Sequence, residues 1–126
     1  MKRVVIASAI LILIFAGTLW HSFYIESFTG NLSSLLEAAE VRAEEENWQA
    51  AQELTQTAWN KWLAKDAYLH ILLRHSETDN IFTGFREVAE FIQCQESGEY
   101  SAANARLISA LELLSESEQF TLKNIL

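Results

Sequence analysis

Asp66 and His70 stand four residues apart, and His75, Glu77 and Asp79 alternate just after them. These residue types hold metal ions. Positions four apart on a helix share a face, so Asp66 and His70 could begin a metal site. Such a site needs at least a third donor in matching geometry, and the spacing supplies none; a solvated pair is the simpler reading. His75, Glu77 and Asp79 resemble a loose site for a hard divalent cation. They lack the glycine of a sharp ligand loop and a later bidentate Glu. Helix capping accounts for them as well, with His75 at the end of one helix and the acids at the start of the next. Asp66, His70 and His75 are therefore the only residues on which a metal-dependent enzyme would rest.

The other candidates are aromatic or sulfur-bearing. Trp48, Trp59 and Trp62 would line a pocket or fill a core, and an aromatic stripe at helical spacing reads first as core. Trp62 falls on the stripe. Trp59 falls beside it, so it is expected to stay partly exposed and to mark a contact surface for a partner. The single cysteine, Cys94, has no internal disulfide partner. It lies amid Phe91, Ile92 and Tyr100, reads as a small core hydrophobe, and has no nearby His or Lys to activate it. The run Glu44-Glu45-Glu46 reads as a solvated helix end. The chain has no Gly-rich phosphate loop, nucleophile elbow, paired-cysteine motif or Ser/His/Asp order. No catalytic residue and no cofactor is expected, and the chain is not expected to be an enzyme.

The elements that would position these residues are helices. The 126-residue chain has no proline and four glycines. Its opening, MKRVVIASAILILIFAGTLWHSFYIE, has no charged residue from Val4 to Ile25. A helix of that length spans about 33 Å, the thickness of a bilayer core. No small-x-small site follows the run, so residues 1–25 read as a retained anchor rather than a cleaved signal. Trp20, His21 and Tyr24 fit an interfacial aromatic belt, and Lys2 and Arg3 place the N-terminus in the cytoplasm. Residues 26–126 then lie outside, joined to the cell membrane by a single pass.

Beyond the anchor, Leu32, Leu35, Leu36, Ala39 and Ala43 mark one helical face, ending at Glu44–Glu46 with Asn47 as the next N-cap. Trp48, Ala51, Leu54, Ala58, Trp62, Leu69 and Leu72 mark a second helix. It is expected to run to about Arg74 with a bend near Lys65 and Asp66. His75-Ser76 opens a turn capped by Ser76 or Thr78. Ile81, Phe85, Val88, Ala89 and Ile92 form a third helix, which Ser97-Gly98 stops. Tyr100, Ala103, Leu107, Ala110, Leu111 and Leu114 form a fourth, broken at Ser115–Glu118. The spacing predicts an all-α fold: a transmembrane helix and then a small antiparallel bundle of about four helices, folded as two hairpins.

Charge narrows the partners. Lys2 and Arg3 account for two of the nine basic residues, so the outer part sets seven against 17 acids, a formal −10. Such a surface repels nucleic acid and anionic headgroups, and nucleic-acid binding is excluded. The bilayer, through residues 4–25, and a protein of unknown identity are the expected partners. The alternative is a structural or small-ligand role, with Trp48, Trp59 and Trp62 around a cleft.

Asn47-Trp48-Gln49-Ala50-Ala51 and Glu99-Tyr100-Ser101-Ala102-Ala103 each set a polar residue, an aromatic, a polar residue and two alanines at the start of a helix. They resemble the hairpin junctions of tetratricopeptide-type repeats, without the full signature. The whole chain resembles a family of small bacterial membrane proteins, domain of unknown function 4363. The matching features are the basic start and apolar span, Leu32–Ala39, Trp48 with Ala51, Trp62, His75 with Ile81, and the closing Leu122-Lys123-Asn124-Ile125-Leu126. The resemblance implies architecture and place, and brings no catalytic residue.

Overall fold

The computed structural model describes residues 1–65 and 75–125, with side chains for 1–65 and 78–117. Among them there are four helices: α1 (Lys2–Glu44), α2 (Trp48–Ala64), α3 (His75–Cys94) and α4 (Ser97–Ile125). No strand occurs among the described residues.

α1 is one unbroken helix of 43 residues, about 65 Å long. Its two halves bury differently. Residues 1–17 are exposed on every side, including Val4, Ile6, Leu11, Leu13 and Ile14. From Ser22 onward one seam is buried: Ser22, Ile25, Thr29, Leu32, Leu36, Ala39 and Ala43. The steps alternate three and four, the 3.5-residue repeat that keeps a seam facing its neighbours. Packing therefore begins before residue 26, with Ser22 and Ile25 already in the core and no linker between apolar span and bundle.

α1 packs against α2 and α4, and α3 closes the ring by packing against the same two helices. Pairs along α1 set the directions. Lys61 donates to Asn31 at 3.0 Å and Trp62 stacks on Phe28, whereas Ser101 donates to Glu40 at 2.9 Å and Asn104 to the Leu36 carbonyl at 3.0 Å. Both α2 and α4 thus run antiparallel to α1, in an up-down-up-down bundle. The core is Trp62, Tyr100, Phe85 and the aliphatic residues of the four seams.

The two described turns share one geometry. After α1, Glu46 takes φ 62°, with its N–H on Ala43 O (2.9 Å) and the Asn47 N–H on Arg42 O (2.8 Å). After α3, Gln95 takes φ 55°, with its N–H on Ile92 O (3.1 Å) and the Glu96 N–H on Phe91 O (3.1 Å). Each is a Schellman ending with a non-glycine residue in the left-handed position. Asn47 then caps α2 through its side chain, which accepts from Ala50 N at 3.2 Å, as its residue type predicts.

Several expectations change here. The third helix begins at His75, so His75-Ser76 is not a turn. It stops at Gln95 rather than at Ser97-Gly98, and those two residues open α4. The left-handed residue is set by where the core seam ends, at Ile92, and not by where glycine lies. The equivalent junctions are thus Glu46-Asn47 and Gln95-Glu96, and Glu99 lies inside α4. Ser115–Glu118 does not break α4, which continues to Ile125, because Leu114 and Ser115 both pack inward and hold the helix in register. Cys94 and Ala89 face solvent rather than the core. α2 ends at Ala64 with Lys65 as its cap; Leu69, Leu72 and Arg74 lie outside the described residues.

Candidate functional site

Trp59 sits on α2 three residues before Trp62, so the two indoles point about 60° apart around the helix. Trp62 is fully buried and stacks on Phe28 (6.2 Å between centroids). Trp59 is half-buried and leans over α3. Its ring meets Phe85 edge-on at 5.1 Å and lies tilted against Phe82 at 5.2 Å. Phe82 is 40% exposed, and Leu63, one turn beyond Trp59 on the same face of α2, is 41% exposed. Trp59, Leu63 and Phe82 form an apolar patch at the α2–α3 seam.

Beside that patch the two helices part into a cleft of about 270 Å³. α2 lines it with Gln52, Thr55, Gln56 and Trp59; α3 contributes Phe85, Arg86, Glu90 and Gln93 among others. Thr55 is 4% exposed, and its Oγ1 is sealed from water without a partner. Thr18, Thr29 and Thr57 behave differently: each donates to the carbonyl one turn back, at 2.8–2.9 Å. The three tryptophans do not surround one cleft. Trp62 is core, and Trp48 lies at the far end of α2, edge-on to Tyr100 at 5.7 Å.

Asp66 and His70 lie outside the described residues, and His75 opens α3 without a described side chain. Among the described residues no group of three His, Cys, Asp or Glu is placed to hold a metal ion.

A ladder of rings joins the apolar span to the bundle. Trp20 stacks on Tyr24 (5.9 Å), Tyr24 on Phe28 (6.2 Å) and Phe28 on Trp62. The Lys65 ammonium lies 5.8 Å from the Tyr24 ring centre, a cation–π approach. The opposite end of the bundle is acidic. Burial, then Glu40 and Glu44, push the Tyr100 phenol up. Glu96 is pushed above the ordinary carboxylate value by its side-chain hydrogen bond to Glu99 and then by that residue's charge.

Sequence reasoning picked out Trp59 but missed Phe82, Leu63 and the glutamines around them. The four-residue step from Trp59 to Leu63 was readable. That Phe82 stands opposite Trp59 depends on how α2 and α3 meet.

α1 is long and apolar enough to cross a membrane, with an 18-residue window of mean hydropathy 2.2 that is wholly unburied. No curated protein and no solved structure matches the chain. One family description does match, over residues 19–125, which takes in the bundle from just before Ser22 to the end of α4. The chain belongs to that family, Domain of unknown function (DUF4363).

Proposed function

We propose that this is a single-pass membrane protein whose helical bundle stands outside the cytoplasm and binds another protein through the α2–α3 seam. The patch of Trp59, Leu63 and Phe82 carries the reading. A bundle this small has reason to leave a tryptophan and a phenylalanine partly wet on one seam if a partner covers them. Lys2 and Arg3 before the span support the orientation. The unbroken α1 supports a bundle held directly at the bilayer surface, where a membrane partner is within reach.

The test is photo-crosslinking in native membranes, with the reactive group at Gln56 beside Trp59 and, as a control, at Glu37 on α1. A discrete adduct from position 56, absent from 37 and lost in Trp59→Ala, supports the reading. Equal adducts from both positions, or an adduct indifferent to Trp59→Ala, removes it. Protease accessibility of the bundle from outside intact cells tests the orientation separately.

A further inference from the structure

The α2–α3 cleft has a chemistry that a protein-contact patch does not require. Its polar lining is mostly neutral: the carboxamides of Gln52, Gln56 and Gln93, of which Gln56 already donates one N–H to Asn60 at 3.0 Å. Each carboxamide both donates and accepts. The two charges, Arg86 and Glu90, have opposite signs and lie one turn apart on α3, so the lining carries no net charge. That balance disfavours a strongly anionic or cationic ligand. The apolar wall joins two aromatic rings, Trp59 and Phe85, to the aliphatic Ala89 and Ile92. The volume of about 270 Å³ admits one ring, not a chain. Beneath the floor the Thr55 hydroxyl has no protein partner. An unmet buried group of this kind destabilises the bundle by itself, and a ligand that draws it into the cleft by rotation about χ1 relieves the cost.

We infer that this cleft is a binding site for a single sugar ring of hexose size. A pyranose has hydroxyls around its edge, each a donor and an acceptor, and C–H faces that rest on aromatic rings. It has no net charge. Those properties match the amides, the aromatic wall and the balanced charge in turn. The ring is either a free monosaccharide or the terminal unit of a glycan. The inference goes beyond the protein-partner reading and does not rest on it.

The full chain in lipid nanodiscs tests this by saturation-transfer NMR, with glucose, N-acetylglucosamine, a trisaccharide of each, and free amino acids as separate probes. The expected result is saturation of sugar ring protons and none for the amino acids. Gln52→Leu on one wall and Gln93→Leu on the other should each weaken binding about tenfold, the loss of one good hydrogen bond. Both positions are exposed, so thermal melting should be unchanged. The Glu37→Gln control should bind as the parent does. Equal binding of the monosaccharide and the trisaccharide indicates a free sugar. Saturation confined to the end ring of the trisaccharide, with tighter binding, indicates a glycan end; either supports the site. No saturation with any sugar, saturation by amino acids instead, or a sugar signal untouched by both leucine variants overturns it.

Discussion

The two long seams flanking α3 are built differently. Where α3 meets α4, the helices approach so closely that a Cβ on Gly84 would lie 2.9 Å from Leu107 Cδ1. Glu87 and Arg106 also pair across that seam. Where α3 meets α2, rings hold the helices apart: Trp59 against Phe82 and Phe85, with a cleft beside them. Small residues bring helices together and large ones prop them open, so a seam lined with indole and phenyl rings fills only where the rings interlock. The lesson is that close approach at one seam and ring-propped spacing at the other leave partly exposed apolar surface and a cleft on the propped side, where something else can meet them.

The largest expected effect sets the propped seam against the closed core on the other face of α2, where Trp62 stacks on Phe28. Trp62→Ala should cost about 3–5 kcal/mol in chemical unfolding of the full chain, as large-to-small core changes do. Trp59→Ala should cost clearly less, since its ring is only partly buried whereas that of Trp62 is fully buried. Equal losses would place both tryptophans in the core and remove Trp59 from the exposed patch.

A smaller effect sharpens it. Thr55→Val keeps the shape and removes a hydroxyl that has no partner. It should raise unfolding stability by about 1 kcal/mol. A loss of that size would mean the hydroxyl is satisfied, and the cleft floor would no longer be polar in an unmet sense.

The turns come next. Glu46 and Gln95 sit at φ 62° and 55°, where glycine has no Cβ penalty. Glu46→Gly and Gln95→Gly should each stabilise by roughly 0.5–1 kcal/mol, read as a shift in the urea midpoint. A loss at either would show that its side chain contributes more than its backbone strain removes.

The smallest effect is electrostatic, at the acidic end. Glu96 binds its proton more tightly in the folded chain than in the unfolded one, because Glu99 lies beside it. Its ionised form therefore opposes folding at neutral pH. That opposition should fade as pH falls through its raised value, and be gone below the ordinary 4.5. Melting curves of the parent and Glu96→Gln, taken from neutral pH downward, should converge. Curves that diverge instead would reverse the sign assigned to this pair.

Much of this was legible from residue order. The uncharged Val4–Ile25 run, the three-four spacing of Leu32, Leu36, Ala39 and Ala43, and Asn47 as a cap are local features. Their physics is local too: hydrophobic length, helical periodicity and one side chain reaching a backbone N–H three residues on. For the same reason the all-α class and the places of Trp62 and Trp59 on and beside a stripe could be read without a fold. Local rules failed where a long-range contact outvoted them. Gly98 looked like a helix stop, yet the stop fell at Gln95, because the seam that packs on α4 ends at Ile92. Ser115 looked like a break, yet it is buried with Leu114, and α4 runs on. Cys94 looked like core among its neighbours in sequence, yet it falls two residues past Ile92, off the buried face of α3, and is exposed.

What residue order determined by itself is an apolar span followed by amphipathic helices, since each helix records its own buried face in its period. Only the tertiary structure decided that α1 passes unbroken from span to bundle, that Phe82 faces Trp59, and that glutamines from two helices line one cleft. Those facts depend on the distance and angle between helices. That geometry is set by the sum of side-chain volumes at each seam, which no single helix encodes.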